Sequence, residues 1–554
     1  NDDMFKIRIA FIILLNYPLY SLDDMLKLGP ALTRDEWAQV RLAQRYRDRV
    51  PPEISQVLTD AYQAAGDYIR DYNIWMHHLL DQKGERPFPA GMRLITHWNL
   101  RDELKSLYSD PDGLPKQEMI FDVMSRIIRQ QVPRAVINNP AVDWKLSTNE
   151  VTISPVADGP ARADWSHPGK AGAKVDNTPE PDTRYERFLG IFRAQRQSDK
   201  YYPSAPTLMD RRFQRNREMP EAQVEKMFVD ILSSDLLPAT ARIIEKRLAR
   251  PLQPFDIWYD GFKPRASMNA EVLDSIVKAK YPTVEAFQHG IVGILTQLGF
   301  ADSTARFVAS KIEVDPSRGA GHAAGPSMRS DKAHLRTRIP SAGMDYKGYN
   351  IAIHELGHNV EQVFSTCKID HSLLGGVPNT AFTEGFAFVF QAKDLELLGI
   401  PDTSANAVQL KALDDYWGTC EIAAVSLVDM KVWHWMYDHP DATAAELKEA
   451  VIAIAKQVWD DYYAPAFGSR DSDLLAVYSH MISYSMYLPD YTIGSLIQFQ
   501  VEAFFKTRNL GTEMERMCEL GSITPELWMQ RAVGSGISVE PLLAAARQAV
   551  AVVK

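Results

Sequence analysis

The stretch YKGYNIAIHELGHNVEQVFS, residues 346 to 365, leaves the chain little choice of local structure. Apolar residues recur at Ile351, Ile353, Leu356, Val360 and Val363 with no proline among them, the pattern of an amphipathic helix. Residues four apart on a helix lie one above the other, so His354 and His358 present two imidazoles to one point. Glu355 sits beside them, where it can reach a water bound to an ion held there. Gly357 lowers helix propensity by about 1 kcal/mol relative to Ala, a sacrifice explained if it lets another segment approach closely.

Two imidazoles need a third ligand to make a metal site. The metzincin arrangement fails, because Glu361 and Phe364 stand where it requires Gly and His. Glu361 lies on the motif helix itself and cannot bend round to the ion. His371, in a Gly-rich stretch, is one candidate, and Glu384 is another. In NTAFTEGFAFVFQ, residues 379 to 391, Glu384 is the sole charge of an apolar helical run that Asn379 or Thr380 can cap. A carboxylate so placed is expensive unless paired with a Lys or Arg or bound to a cation. His354, His358 and Glu384 would hold one zinc per chain with a fourth position open for water, the catalytic rather than the structural pattern.

The rest of the chain bounds the answer. A formal net charge of −10 argues against a nucleic-acid partner. The cluster Arg211, Arg212, Arg215 and Arg217, interleaved with Glu218, Glu221 and Glu225, reads as a solvated helix face. Three scattered cysteines give neither a disulfide framework nor a thiolate site, and Cys367 reads as a small buried hydrophobe. MFKIRIAFIILL, residues 4 to 15, is too short to span a bilayer and has no cleavage site after it, so it reads as a first core helix. The compartment stays open between the cytoplasm and a periplasmic or secreted location reached after removal of a leader. The oligomeric state stays open between monomer and dimer.

Helical periodicity dominates, as in LTDAYQAAGDYIRDYNIWMHHLL, residues 58 to 80. Residues 154 to 184, rich in Pro, Gly and Asp, read as a loop or linker between a helical region 1–153 and a catalytic region 185–554. A Gly/Ala-rich segment, 315 to 328, precedes AHLRTRI, 333 to 339, the clearest strand.

An HExxH followed about 25 residues later by Glu on a second helix resembles the gluzincin metallopeptidases. Within them the chain resembles the oligoendopeptidase/thimet oligopeptidase family and the angiotensin-converting-enzyme family. The similar stretches are DYKGYNIAIHELGHNVEQ, PFDIWYDGF (254–262), AHLRTRI and YSHMISYSMYLPDYTIGSLIQFQVEAFF (478–505). The resemblance implies a mainly α fold, two helical halves around a deep substrate channel, with a small β-sheet beside the zinc-binding helix. It makes AHLRTRI the edge strand that holds an extended peptide, and Tyr491 the phenol that hydrogen-bonds the tetrahedral oxyanion, assisted by His480. Pro489 as a helix breaker and Asp490 as a cap place Tyr491 at a helix start, in agreement. Tyr484 and Tyr487 read equally as core or site.

Departures narrow the reading. Tyr478 and Leu488 stand where the dipeptide-releasing enzymes hold the substrate carboxylate, and Asp490 replaces the chloride-site arginine. Phe388 removes the ExxxD pairing that would support a histidine ligand, so that support must come from elsewhere. The resemblance thus implies a zinc-dependent peptidase of short unfolded oligopeptides, with Glu355 as general base. A non-catalytic peptide-binding scaffold and a zinc hydrolase of a non-peptide amide remain as alternatives.

Overall fold

The computed structural model describes residues 2–95, 98–160, 164–165, 169–263, 268, 270–317, 321–400 and 405–553. It is mainly helical, with three small sheets. At its centre runs the 32-residue helix Ala407–Asp438, whose residues Thr419 to Met430 are buried on every side. A helix apolar nearly all round demands this, and helices Glu221–Leu232, Ala444–Tyr462, Leu488–Phe505 and Glu540–Val552 cover it.

Nine strands occur among the described residues: β1 Asn73–Trp75, β2 Leu79–Leu80, β3 Arg93–Ile95, β4 Val142–Lys145, β5 Glu150–Ile153, β6 Lys174–Val175, β7 Ile312–Ser317, β8 His322–Ala324 and β9 Ala333–Arg338. They form the sheets β1-β3, β2-β4-β5-β6 and β7-β9-β8. The third sheet packs on the motif helix, Tyr346–Cys367. That helix packs in turn on helix Thr380–Gln391, and this on helix Leu488–Phe505.

Several sequence expectations change here. The helical pattern of 58–80 ends at Asp71, because Asn73 to Trp75 pair with Arg93 to Ile95 instead. The N-terminal segment is a helix, Asp2–Asn16, but not a core one. Ile13 is buried, while Phe11, Ile12, Leu14 and Leu15 are exposed. Cys367 is only partly buried, at the end of the motif helix.

The arginine cluster is no solvated face. Arg211–Arg217 forms a π-helical turn whose cations meet acids from distant segments: Arg211 with Asp199 at 2.8 Å, Arg215 with Asp48, and Arg217 with Asp490 at 2.6 Å. Glu218, in the left-handed conformation, pairs with Arg41. The pattern of neighbouring charges in the sequence could not reveal these long-range partners.

AHLRTRI alternates as expected, with Ala333, Leu335 and Thr337 inward. It is not an edge, however. β9 lies between β7 and β8, and among the described residues β8 has a strand on one side only. Among the described residues the edges fall on β7 and on β8, and the HAA of β8, in the Gly/Ala-rich segment, carries none of the β-branched or aromatic residues that mark strands in a sequence.

Candidate active site

The motif helix begins where the Asp345 side chain accepts from the Gly348 N–H at 2.7 Å. Its third and fourth turns pass against helix Thr380–Gln391, capped by Asn379. A Cβ on Gly357 would lie 2.7 Å from the Ala387 Cα, so glycine is what permits this approach. Gly494 serves the next layer, where a Cβ would lie 3.1 Å from the Glu384 Cβ.

This close packing brings His354, His358 and Glu384 together, with ligand atoms within 4.8 Å of one another. The Nε2 atoms of His354 and His358 lie 3.6 and 3.8 Å from Glu384 Oε2. Each ring is fixed through Nδ1, His354 at 3.1 Å to Gln391 Oε1 and His358 at 2.9 Å to Thr383 Oγ1. Both Nε2 atoms therefore face the carboxylate. Glu384 Oε2 is buried without a hydrogen-bond partner, while Oε1 accepts from the Tyr487 hydroxyl at 2.8 Å. An orphaned buried carboxylate oxygen opposite two imidazole Nε2 atoms is a cradle for a cation. The separations are close to the edge of about 3.4 Å that tetrahedral zinc bonds imply.

His371 stays outside the cradle, at the surface, with Nε2 2.9 Å from Asp35. Glu361 points away to Ser365 at 2.6 Å.

The electrostatics divide the two carboxylates. Burial pushes the Glu384 carboxyl up, but His354, His358 and the Tyr487 hydroxyl outweigh it and hold the group down at about 2. Burial pushes Glu355 up to about 7, relieved in part by His354 and reinforced by the negative Glu384. That is the range in which a general base works. Burial lowers His358 to about 4, so it offers a neutral ring.

Tyr491 stands in the first turn of helix Leu488–Phe505, half-buried, its ring 5.8 Å from that of His480 and 6.5 Å from that of Phe388. Pro489 fits the first turn rather than breaking a helix there. Asp490 is no cap, since it turns inward to Arg217. The Trp98 indole N–H donates to the His480 ring, 2.9 Å from Nδ1 and 3.4 Å from Nε2. Burial lowers His480 to about 4, so this ring too is neutral. Tyr484 is exposed and belongs to no core.

Other participants were not evident from the sequence. Gln391 lies two helical turns after Glu384, a spacing that could have suggested it. Trp98 comes from a distant helix and gives no signal. Arg217 organises the site from behind. Its backbone carbonyl accepts from Asn379, the cap of the Glu384 helix, and its guanidinium donates to Asp490 and to the carbonyl of Met486. Met486 is left-handed, with φ 57°, in the turn that brings Tyr487 round to Glu384. On the sheet side, a Cβ on Gly321 would lie 3.1 Å from Glu355 Oε1, so the chain leading into β8 borders the Glu355 carboxylate. A cavity of about 1650 Å³ reaches the site at Trp98, Phe388 and Tyr491.

The fold is that of large helical peptidase structures. A structure assigned as oligoendopeptidase F matches with a TM-score of 0.56 at 12% identity, covering 99% of this chain and 83% of that one. PZ peptidase A with an inhibitor matches at 0.55 and 12%, covering 100% and 86%. A structure assigned as a peptidase from Chlamydophila abortus matches at 0.54 and 11%, covering 95% and 77%. Identities this low establish a common fold alone. No family of sequences matches the chain, and no curated protein does.

Proposed function

We propose that this chain is a zinc-dependent peptidase acting on short unfolded peptides. The observation that carries the reading is the partnerless, buried Glu384 Oε2 facing Nε2 of both His354 and His358. The peptidases that share the fold support it.

A divalent cation held by His354, His358 and Glu384 supplies Lewis acidity to a carbonyl oxygen and lowers the pKa of a water. Glu355 takes a proton from the attacking water and returns it to the amine as the C–N bond breaks. Tyr491 and the neutral His480 donate to the oxygen on which negative charge develops. The open side of β8 receives the substrate backbone as an added strand. Tyr478 is buried, with its hydroxyl accepting from Trp258 at 2.8 Å, and offers no cation to a peptide terminus. Release of C-terminal dipeptides is therefore not part of the proposal.

The test is the metal content of wild type and Glu384→Ala, beside cleavage of a quenched peptide library. The variant is expected to hold one cation fewer per chain and to lose cleavage. A variant with full metal content removes Glu384 from the ligand set. A wild type that binds metal and cleaves nothing in the library overturns the peptidase reading.

A further inference from the structure

A second group of metal-ligating side chains stands apart from this site, in the N-terminal sheets. β1 leads into a single 3₁₀ turn, Met76–His78, that β2 continues. Met76 is fully buried and anchors the turn in the core, which fixes the two histidines that follow it. His78 is itself only 3% exposed in its side chain. Its Nδ1 lies 3.0 Å from Asp143 Oδ1, on β4 beside β2. Arg86 secures that carboxylate at 2.5 Å and also donates to the His77 carbonyl at 2.9 Å.

Because Asp143 accepts from Nδ1–H, the other ring nitrogen of His78 carries a lone pair. That atom, Nε2, is buried and has no hydrogen-bond partner. It faces Asp158 Oδ2 at 3.4 Å. The same oxygen accepts from the Gly91 N–H at 3.0 Å and lies 2.6 Å from His77 Nδ1. Two electron-rich atoms thus confront each other in a buried place, with a third donor atom alongside. Ligand atoms of all three residues lie within 4.8 Å of one another.

We propose that His77, His78 and Asp158 hold a second divalent cation of the zinc type, which pins the loop after β5 to the turn between β1 and β2. Two imidazoles and one carboxylate are a zinc donor set. The 3.4 Å between His78 Nε2 and Asp158 Oδ2 already matches the edge of about 3.4 Å that tetrahedral zinc bonds imply. The His77 pair, now at hydrogen-bond distance, opens by about 0.8 Å to reach the same edge. Asp143 behind His78 is the carboxylate that a metal-bound imidazole usually has at its other nitrogen. The loop is shaped to stay close, since a Cβ on Gly159 would lie 3.3 Å from the Trp75 ring. The ligands come from segments far apart in sequence, so binding contributes directly to stability. None of this depends on what the chain hydrolyses.

The experiment uses Glu384→Ala, in which the first cradle lacks its carboxylate. Full-length protein is stripped with chelator, loaded with micromolar zinc, dialysed and assayed for metal. Glu384→Ala is expected to hold one zinc and to melt several degrees higher with zinc than without it. Glu384→Ala/Asp158→Asn should hold none and show no shift. Asn keeps the acceptor for Gly91, and circular dichroism of the stripped proteins checks that both are folded alike. No zinc and no shift in the single variant, or equal zinc in both, overturns the proposal.

Discussion

At Glu384 burial and its partners act in opposite directions, and the partners prevail, whereas at Glu355 burial prevails. Two carboxylates on adjoining helices thereby become a permanent anion and a base that exchanges protons near neutrality. On the proposed reading, Glu355→Gln removes the base while leaving the three ligands intact. It is expected to keep wild-type metal content and to lose cleavage by on the order of 10²–10⁴-fold. Tyr491→Phe should lower kcat by about 10²-fold, the loss typical of one oxyanion donor. A Glu355→Gln protein that cleaves normally would dismiss the assigned base, and an unchanged kcat in Tyr491→Phe would dismiss the assigned donor. These residues were legible because the motif lies in one helix and an isolated charge in an apolar helix advertises itself. The supporting groups were not. Gln391 and Thr383 differ from ordinary helix residues only in what the fold sets opposite them, and Tyr487 reaches Glu384 through a left-handed turn that no spacing predicts.

Among the elements, the site depends on how closely three helices stack. Gly357→Ala drives a methyl group against the Ala387 backbone, which cannot rotate away as a side chain could. Overpacking of this kind is expected to destabilise by about 1–3 kcal/mol and to weaken metal binding as the cradle widens. Gly190→Ala is the matched control. It lies inside helix Thr183–Asp199 with open space around it, and should stabilise by up to about 1 kcal/mol. Thermal melts of both decide the matter, and a Gly357→Ala protein that melts like wild type would remove the packing argument. The same scale shows where periodicity stops being informative. β9 was legible because its inward and outward residues alternate, whereas β8 is three residues long and made a strand only by its neighbour. Periodicity runs the helix past its end at Asp71 because Ile74 and Trp75 suit a buried helix face as well as a strand.

For the molecule as a whole, one buried group ties stability to pH. Asp429, in the middle of the central helix, is fully buried, with neither carboxylate oxygen hydrogen-bonded. Burial pushes its pKa up to about 8, against the pull of Arg217 and Arg212 and with some push from Asp490. The folded state thus keeps a proton that the unfolded chain releases near pH 4. Stability is lost as pH rises between those values. Asp429→Asn removes this dependence, so its stability relative to wild type should rise between pH 5 and pH 8 by on the order of several kcal/mol. Denaturant unfolding at both values measures the difference. A variant that tracks wild type at both would show that Asp429 is ionised in the fold. Such a residue could not be recognised beforehand, since its surroundings come from the π-helical turn and the Tyr491 helix, both distant in sequence.

The histidines of the HELGH helix are backed by an amide and a hydroxyl. On that side the carboxylates stand further out, Glu361 one link away behind Thr383 and Asp394 two links away behind Gln391 and Asn350. Neutral acceptors make an imidazole a weaker electron donor than a carboxylate does. On the proposed reading, the ion in this cradle exchanges readily with its surroundings. The specific activity of a preparation will then follow growth medium, column resin and buffer chelators. Two laboratories working on identical protein can obtain different turnover numbers unless each reports the occupancy of its sample.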